Sequence, residues 1–361
     1  MQSETGLTLT RTIEFSRKAL KIGGLSILGF LLFRFAFYSF IAYWKATHPP
    51  PPPPPTVGFG VLPAPNFTQE EQNEKPKQYF LETKDGKLPS FSDRAKVFLM
   101  PKKAVGLFDH ETALNIASRY DFIFEPQIVD TRTYRWQKTS PILTTLELDL
   151  QEHVFTYQTD FMNRPDLLLN KQNLTRFDAV QQTKSFLSTA GLLSSDIATS
   201  SGKITYLKAV GTELIKAVTP SDADFIEVNL QRTPIDEIYE NYTQKGQEGI
   251  VHAVIGSLKG LNSGILSMRY SHYPVDYDQV HTYPIRSVKS AWNILQSGEG
   301  FIANNQDTKQ AVIREIKLGY YDDINGQPYL QPIYVFFGDN DFLGYVPAVD
   351  PKYLQSENLE F

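Results

Sequence analysis

The chain has 361 residues, 35 lysines and arginines against 40 aspartates and glutamates, and no cysteine. The missing thiols exclude disulfides, thiolate zinc sites, iron–sulfur clusters and cysteine nucleophiles. Residues 1–48 carry six basic side chains (Arg11, Arg17, Lys18, Lys21, Arg34, Lys45) and two acidic ones (Glu4, Glu14), a net +4, so the overall −5 leaves −9 for the remainder, a poor match for nucleic acid or anionic lipid headgroups.

Residues 1–21 form a basic tail. From Ile22 to Trp44 the chain is predominantly apolar, with Arg34 its one charge. About 20 such residues at 1.5 Å rise span a hydrocarbon core. Arg11, Arg17, Lys18 and Lys21 precede this stretch and only Lys45 lies close after it, so the positive-inside rule predicts residues 1–21 in the cytoplasm and the rest outside. A cleavable signal peptide would have a shorter apolar region and a small-x-small exit; here the exit Phe40–Lys45 is bulky, and Tyr38, Tyr43 and Trp44 suit an interfacial belt. A core helix of a soluble fold is disfavoured by the seven prolines that follow. Arg34 costs about 2.5–3.5 kcal/mol on insertion scales, and it either snorkels or meets an acidic or polar group on a partner helix.

Pro49–Pro55 predicts a polyproline II rod of roughly 20 Å. The aperiodic run that continues to Lys77 extends it into a linker over 45–77, holding the body off the membrane. With no disulfide available to so large an extracytoplasmic body, a prokaryotic envelope is the expected setting.

Beyond residue 78, one amphipathic helix followed by several strands recurs three times. It predicts units over 78–170, 171–284 and 285–350, with 351–361 as a tail. The first unit has a helix at Asp109–Tyr120, with Ala113, Ile116, Ala117 and Tyr120 at helical spacing, then strands at Arg132–Gln137, Thr144–Leu150 and His153–Gln158. The second has a helix at Asp178–Ala190, stopped by Gly191, and strands at Ile204–Val210, Leu214–Val218, Phe225–Leu230, Gly249–Leu258 and Ile265–Tyr273. The third has a helix at Val288–Gln296 and a meander of Ala311–Tyr321, Tyr329–Phe337 and Phe342–Val349, with Asn325-Gly326 as a turn signal. Helices on one face of antiparallel sheets make the class α+β.

The last third of the chain carries a recognisable order. It runs Ala291-Trp292-Asn293-Ile294-Leu295-Gln296-Ser297-Gly298, then Ile313–Tyr321, Tyr329–Phe336 and Tyr345-Val346-Pro347-Ala348. This order resembles PepSY-like units and the YycH/YycI group of bacterial membrane-anchored regulators, over about 65 residues. The resemblance implies a non-catalytic α+β ectodomain on one transmembrane helix, associating with a membrane sensor kinase.

Chemistry-bearing motifs are sparse. The histidines (His48, His110, His153, His252, His272, His281) show no metal-ligand spacing. Asp339-Asn340-Asp341-Phe342-Leu343-Gly344 and Asp322-Asp323-Ile324-Asn325-Gly326 superficially resemble calcium loops, but their residues are those that turns require. No nucleophile elbow or phosphate loop occurs. Tyrosines crowd the last third, and Tyr320, Tyr321, Tyr329, Tyr334 and Tyr345 are candidates for a partner-binding groove, since tyrosine gives large contact area at low entropic cost. Arg34 is the candidate partner contact within the membrane. The expected function is a single-pass, non-enzymatic binding or regulatory protein of the envelope, without metal, cofactor or nucleic acid. The alternatives are a structural bitopic subunit of a division or secretion assembly, and a hydrolase acting on peptide or glycan.

Overall fold

A computed structural model describes residues 9–48, 53–67, 72–104, 106–167, 175–246, 248–261 and 263–355. The chain splits into two compact units, Met1–Pro54 and Pro55–Phe361.

The first unit is one helix, α1 (Leu9–Thr47). Its Ile, Leu and Phe side chains from Ile13 to Phe40 are exposed, and Ile13–Thr47 is long and apolar enough to cross a membrane. The helix is longer than the predicted span. It begins within the basic tail, because hydrogen bonding along a helix does not stop where hydropathy does. Its 39 residues run about 58 Å at 1.5 Å each, roughly twice a hydrocarbon core. Pro49–Pro52 of the expected rod lie outside the described residues.

In the second unit, β1 (Gln78–Leu81) and β2 (Arg94–Leu99) precede α2 (Asp109–Arg119), β3 (Gln127–Ile128), β4 (Thr133–Lys138), β5 (Thr144–Asp149) and β6 (Phe155–Thr159). Next come α3 (Arg176–Thr189), α4 (Ser195–Ala198), β7 (Lys203–Val210), β8 (Glu213–Lys216), β9 (Phe225–Leu230), β10 (Asn241–Tyr242), β11 (Val251–Ile255), β12 (Ile265–Tyr270) and β13 (Asp276–Pro284). The chain ends with α5 (Val288–Gln296), β14 (Phe301–Asn304), β15 (Gln310–Tyr321), β16 (Tyr329–Gly338) and β17 (Leu343–Pro347). The class is α+β, as the sequence implies.

Nine strands form one sheet in the order β3-β4-β5-β6-β12-β11-β9-β7-β8. Period-two alternation puts one apolar row across seven of them: Trp136, Leu146, Tyr157, Met268, Ala253, Val228 and Ile204 are successive cross-strand partners. On this face α2 packs through Ala113, Ile116, Ala117 and Tyr120, and α3 through Ala179, Val180, Phe186 and Leu187. The rings of Tyr120 and Phe186 stack at 4.2 Å. A capping box between Thr175 and Asp178 starts α3 two residues ahead of the sequence expectation.

Eight strands make the second sheet, with β1-β15-β16-β17-β14 as its main path and β2, β10 and β13 paired off it. Here α5 buries Val288, Ala291, Trp292 and Leu295 against Leu318, Tyr334, Phe336 and Val346.

Two sequence expectations need correction. The boundaries at 170/171 and 284/285 do not separate bodies, since strands of the first two segments share one sheet. Moreover β1 and β2 from the first segment, and β13 from the second, belong to the sheet built on β15 and β16. Because β13 reads Asp-Tyr-Asp-Gln-Val-His-Thr-Tyr-Pro, with few apolar alternations, its pairing is invisible without its partner.

The described residues of the 45–77 linker beyond Pro55 are a strap on the body and not a free spacer. Leu62 is wholly buried among Val97, Tyr283 and Val349. Its N–H donates to the Tyr353 carbonyl and its own carbonyl accepts from Gln355 N–H, both at 2.8 Å. Phe67 stacks on Phe301 at 5.0 Å, and Asn73 N–H reaches the Ile302 carbonyl at 2.9 Å. Such a segment has no period of its own; long-range bonds fix it. Leu62→Ala is expected to cost about 2–5 kcal/mol through the cavity it leaves, read as a lower urea midpoint. An unchanged midpoint would restore the spacer reading.

Candidate functional site

The strongest concentration of buried charge surrounds Arg232, two residues beyond β9. Its side chain has no solvent exposure. Nη1 donates to Asp196 Oδ2 at 2.6 Å, Nε to Asp322 Oδ2 at 2.7 Å, and Nη2 to the Tyr273 carbonyl. Asp196 comes from α4, Asp322 directly follows β15, and Tyr273 follows β12. The guanidinium therefore latches the nine-stranded sheet to the eight-stranded one. Arginine suits this place because its planar fork offers several donors in fixed directions.

The shell around the latch is also occupied. His272 Nε2 lies 3.0 and 3.1 Å from the two Asp196 oxygens, and Ser194 Oγ donates to Asp196 Oδ1 at 2.5 Å. Asp322 is held by its N–H, which donates to the Tyr242 carbonyl at 2.8 Å. Burial alone would raise the Asp196 pKa; the His272 hydrogen bond and the charges of His272 and Arg232 overcome it and hold the carboxyl well below the usual range. Burial likewise works against the Arg232 charge, and the Asp322 and Asp196 carboxylates reverse that, so its pKa is raised. These contacts occupy the fork of Arg232 and shield it from solvent. The arrangement fixes two sheets.

Nothing in the sequence around Leu230-Gln231-Arg232-Thr233 announces the latch, and Asp322 reads as a turn residue. Its partners lie 36 and 90 residues away. The turn reading holds at Asp339, where Phe342 N–H donates to the Asp339 carbonyl at 3.1 Å. The Asp339 carboxylate is occupied by Arg314, at 2.9 and 2.6 Å.

The tyrosine groove is corrected. Tyr320, Tyr321, Tyr334 and Tyr345 are core residues, each 1% exposed or less, and Tyr329 is partly buried against Val97 and Tyr283. Their hydroxyls donate inward: Tyr320 to the Lys96 carbonyl at 3.0 Å, Tyr321 to Asn66 at 2.9 Å, Tyr334 to Arg286 at 2.7 Å and Tyr345 to Thr243 at 3.1 Å. Burial pushes the Tyr334 phenol up to about 12 and raises that of Tyr345 well above its ordinary value. The sheet is covered on both faces, by α5 on one and by Phe67 of the strap on the other, so alternation leaves neither set of tyrosines in water. Arg34 is exposed on α1 with its guanidinium 5.5 Å from the Tyr38 ring centre.

No family model and no curated protein matches the sequence. Among solved structures the chain is similar to the Bacillus megaterium YpeB C-terminal domain, at 13% identity and a TM-score of 0.32, covering 69% of this chain and 95% of that one. It is also similar to an uncharacterized protein from Eubacterium rectale, at 11% identity and a TM-score of 0.39, covering 72% and 84% respectively. At such scores neither likeness assigns a family.

Proposed function

We propose that the chain is a membrane-tethered, non-enzymatic body that binds protein partners outside the cytoplasmic membrane of a prokaryote. The observation that carries the tether is α1, whose large apolar side chains lie exposed over a length that can cross a bilayer. Arg17, Lys18 and Lys21 at its start favour a cytoplasmic N-terminus. The non-enzymatic reading is supported by the Arg232 cluster, whose charged groups are engaged in holding two sheets together.

The absence of cysteine makes the orientation directly testable. Lys289→Cys, on an exposed position of α5, is expected to react with an impermeant maleimide in intact cells, and Ser16→Cys only after permeabilisation. The reverse pattern would overturn the orientation.

Partner binding has its own test at Arg34. With a partner helix to pair with, Arg34→Leu should insert at least as well, gaining roughly 3 kcal/mol, yet lose proteins that crosslink and co-purify with the wild type. Equal recovery would remove Arg34 from the interface.

A further inference from the structure

We propose that the cavity beside the Arg232 latch takes a neutral main-chain amide from an extended peptide segment of a partner. This deepens the partner-binding reading above and rests on it.

The cavity measures about 190 Å³ and is lined by the 199–203 turn, the chain at the end of β9 and the start of β10. Strand β9 belongs to the nine-stranded sheet and β10 to the eight-stranded one, so both sheets contribute to it. That volume equals about six waters. It is below the roughly 300–1,000 Å³ of pockets that enclose drug-sized molecules, and it suits one small group presented by a longer chain.

Two carboxamides lining the cavity are incompletely used. Gln231 Nε2 and Asn241 Oδ1 are buried without a hydrogen-bond partner among the described residues, and Asn241 is 1% exposed. Buried polar groups are nearly always paired, because stripping them of water is costly. Here a donor and an acceptor that would satisfy each other line one cavity and are not bonded. The surrounding structure keeps them so. Asn241 Nδ2 is directed at the Arg232 and Thr233 carbonyls, at 3.5 and 3.4 Å, which leaves its oxygen as the free end. Asn241 is itself paired with Tyr320 of β15, and Gln231 adjoins the arginine anchored on Asp196 and Asp322. The turn is pinned from behind: Lys184 Nζ donates to the Ala198 and Ser200 carbonyls at 2.8 and 2.6 Å, and Arg176 donates to the Gly202 carbonyl.

Charge selects against ions. The half-exposed Lys203 and Glu240 pair with each other at 3.5 Å, and Glu240 also accepts from the Tyr242 hydroxyl at 3.0 Å. Arg232 is committed to the latch. An uncharged ligand with one donor and one acceptor is the match that remains. In an extended chain the N–H and C=O of one residue face the same side, so a single residue supplies both. An acetamido sugar carries the same amide, but none of the described lining residues is aromatic and able to receive the flat face of its ring.

The probe is acetyl-trialanine-amide with a photoreactive diazirine on its cap, applied to the full-length protein in detergent. It is expected to label residues 199–203 saturably, as read by mass spectrometry. An analogue with an ester in place of the central amide lacks the N–H that Asn241 Oδ1 accepts, and Gln231→Leu lacks the donor. Each loss should raise the half-saturating concentration about tenfold. The urea midpoint of Gln231→Leu should not fall, because the deleted nitrogen bonds to nothing among the described residues. No saturable labelling, or labelling indifferent to the ester and to Gln231→Leu, would overturn the proposal. So would a lower midpoint for that variant, which would give the carboxamide a role in the fold. Displacement of the probe by N-acetylglucosamine at equal concentration would overturn the peptide assignment in favour of a sugar. Native partners recovered equally with Gln231→Leu and wild type would overturn this site and leave partner binding standing. Recovery of no partner from the wild type would instead sink the reading on which the site rests.

Discussion

Arg232→Met is expected to destabilise the Pro55–Phe361 body by about 3–5 kcal/mol, because it leaves Asp196 and Asp322 without the cation buried between them. The loss arises from stranded charge more than from a missing attraction. Adding Asp196→Asn and Asp322→Asn to the same variant should therefore recover a large part of it. The pH dependence has a definite sign. Asp196 has a folded-state pKa below its unfolded value, so its contribution is complete above about pH 4 and is lost as the pH falls toward the folded pKa. The gap between wild type and Arg232→Met, measured by urea unfolding, should narrow as the pH is lowered below about 4. A gap of under 1 kcal/mol at neutral pH would show that the latch is not load-sharing between the sheets.

Gly249→Ala should be comparably severe, from steric overlap alone. A Cβ on Gly249 would lie 2.1 Å from the Leu230 carbonyl oxygen, 2.6 Å from its carbon and 2.9 Å from its nitrogen. All three are backbone atoms of the neighbouring strand, so no side-chain rotation relieves the overlap, and β9 and β11 must separate at Val251–Leu230. The expected cost is at least the upper end of overpacking effects, about 3 kcal/mol, with hydrogen exchange accelerated first in β9 and β11. Gly191→Ala is a useful contrast. It meets nothing within 4 Å and carries only the strain of φ +73°, so its cost should be near 1 kcal/mol. Equal denaturation midpoints for Gly249→Ala and wild type would show that the strands yield freely there.

Elements with a period of their own were legible before their partners were known. The helix at Val288–Gln296 coincides with its expected range, as does the strand at Phe225–Leu230. Leu146 and Leu148 alternate inward as their sequence spacing implies. Elements whose structure comes from somewhere else in the chain were not legible. The polar β13 exists because β2 lies beside it, and the strap at Leu62 exists because Tyr353 and Gln355 hold it. The tyrosines show the same limit from the other side. Their strands were correctly placed, but whether a strand has one covered face or two is a property of the layers around it. The Arg232 latch is the extreme case, because a single arginine with remote partners leaves no local pattern to read.

The strand order also imposes a timetable on folding. Chain synthesis delivers residues from the N-terminus, yet Gln78 of β1 pairs with Gln310 of β15. Phe155–Gln158 of β6 must wait for Ser267–Tyr270 of β12, roughly 110 residues later. Early strands are thus complete as sequence before all their neighbours exist: the nine-stranded sheet, whose strands all fall between Gln127 and Tyr270, can close once β12 has been made, whereas the eight-stranded sheet must wait for β15, β16 and β17. Folding of the eight-stranded sheet is postponed until nearly the whole body has been made, and in the interval Phe80 of β1 is available to the wrong partners.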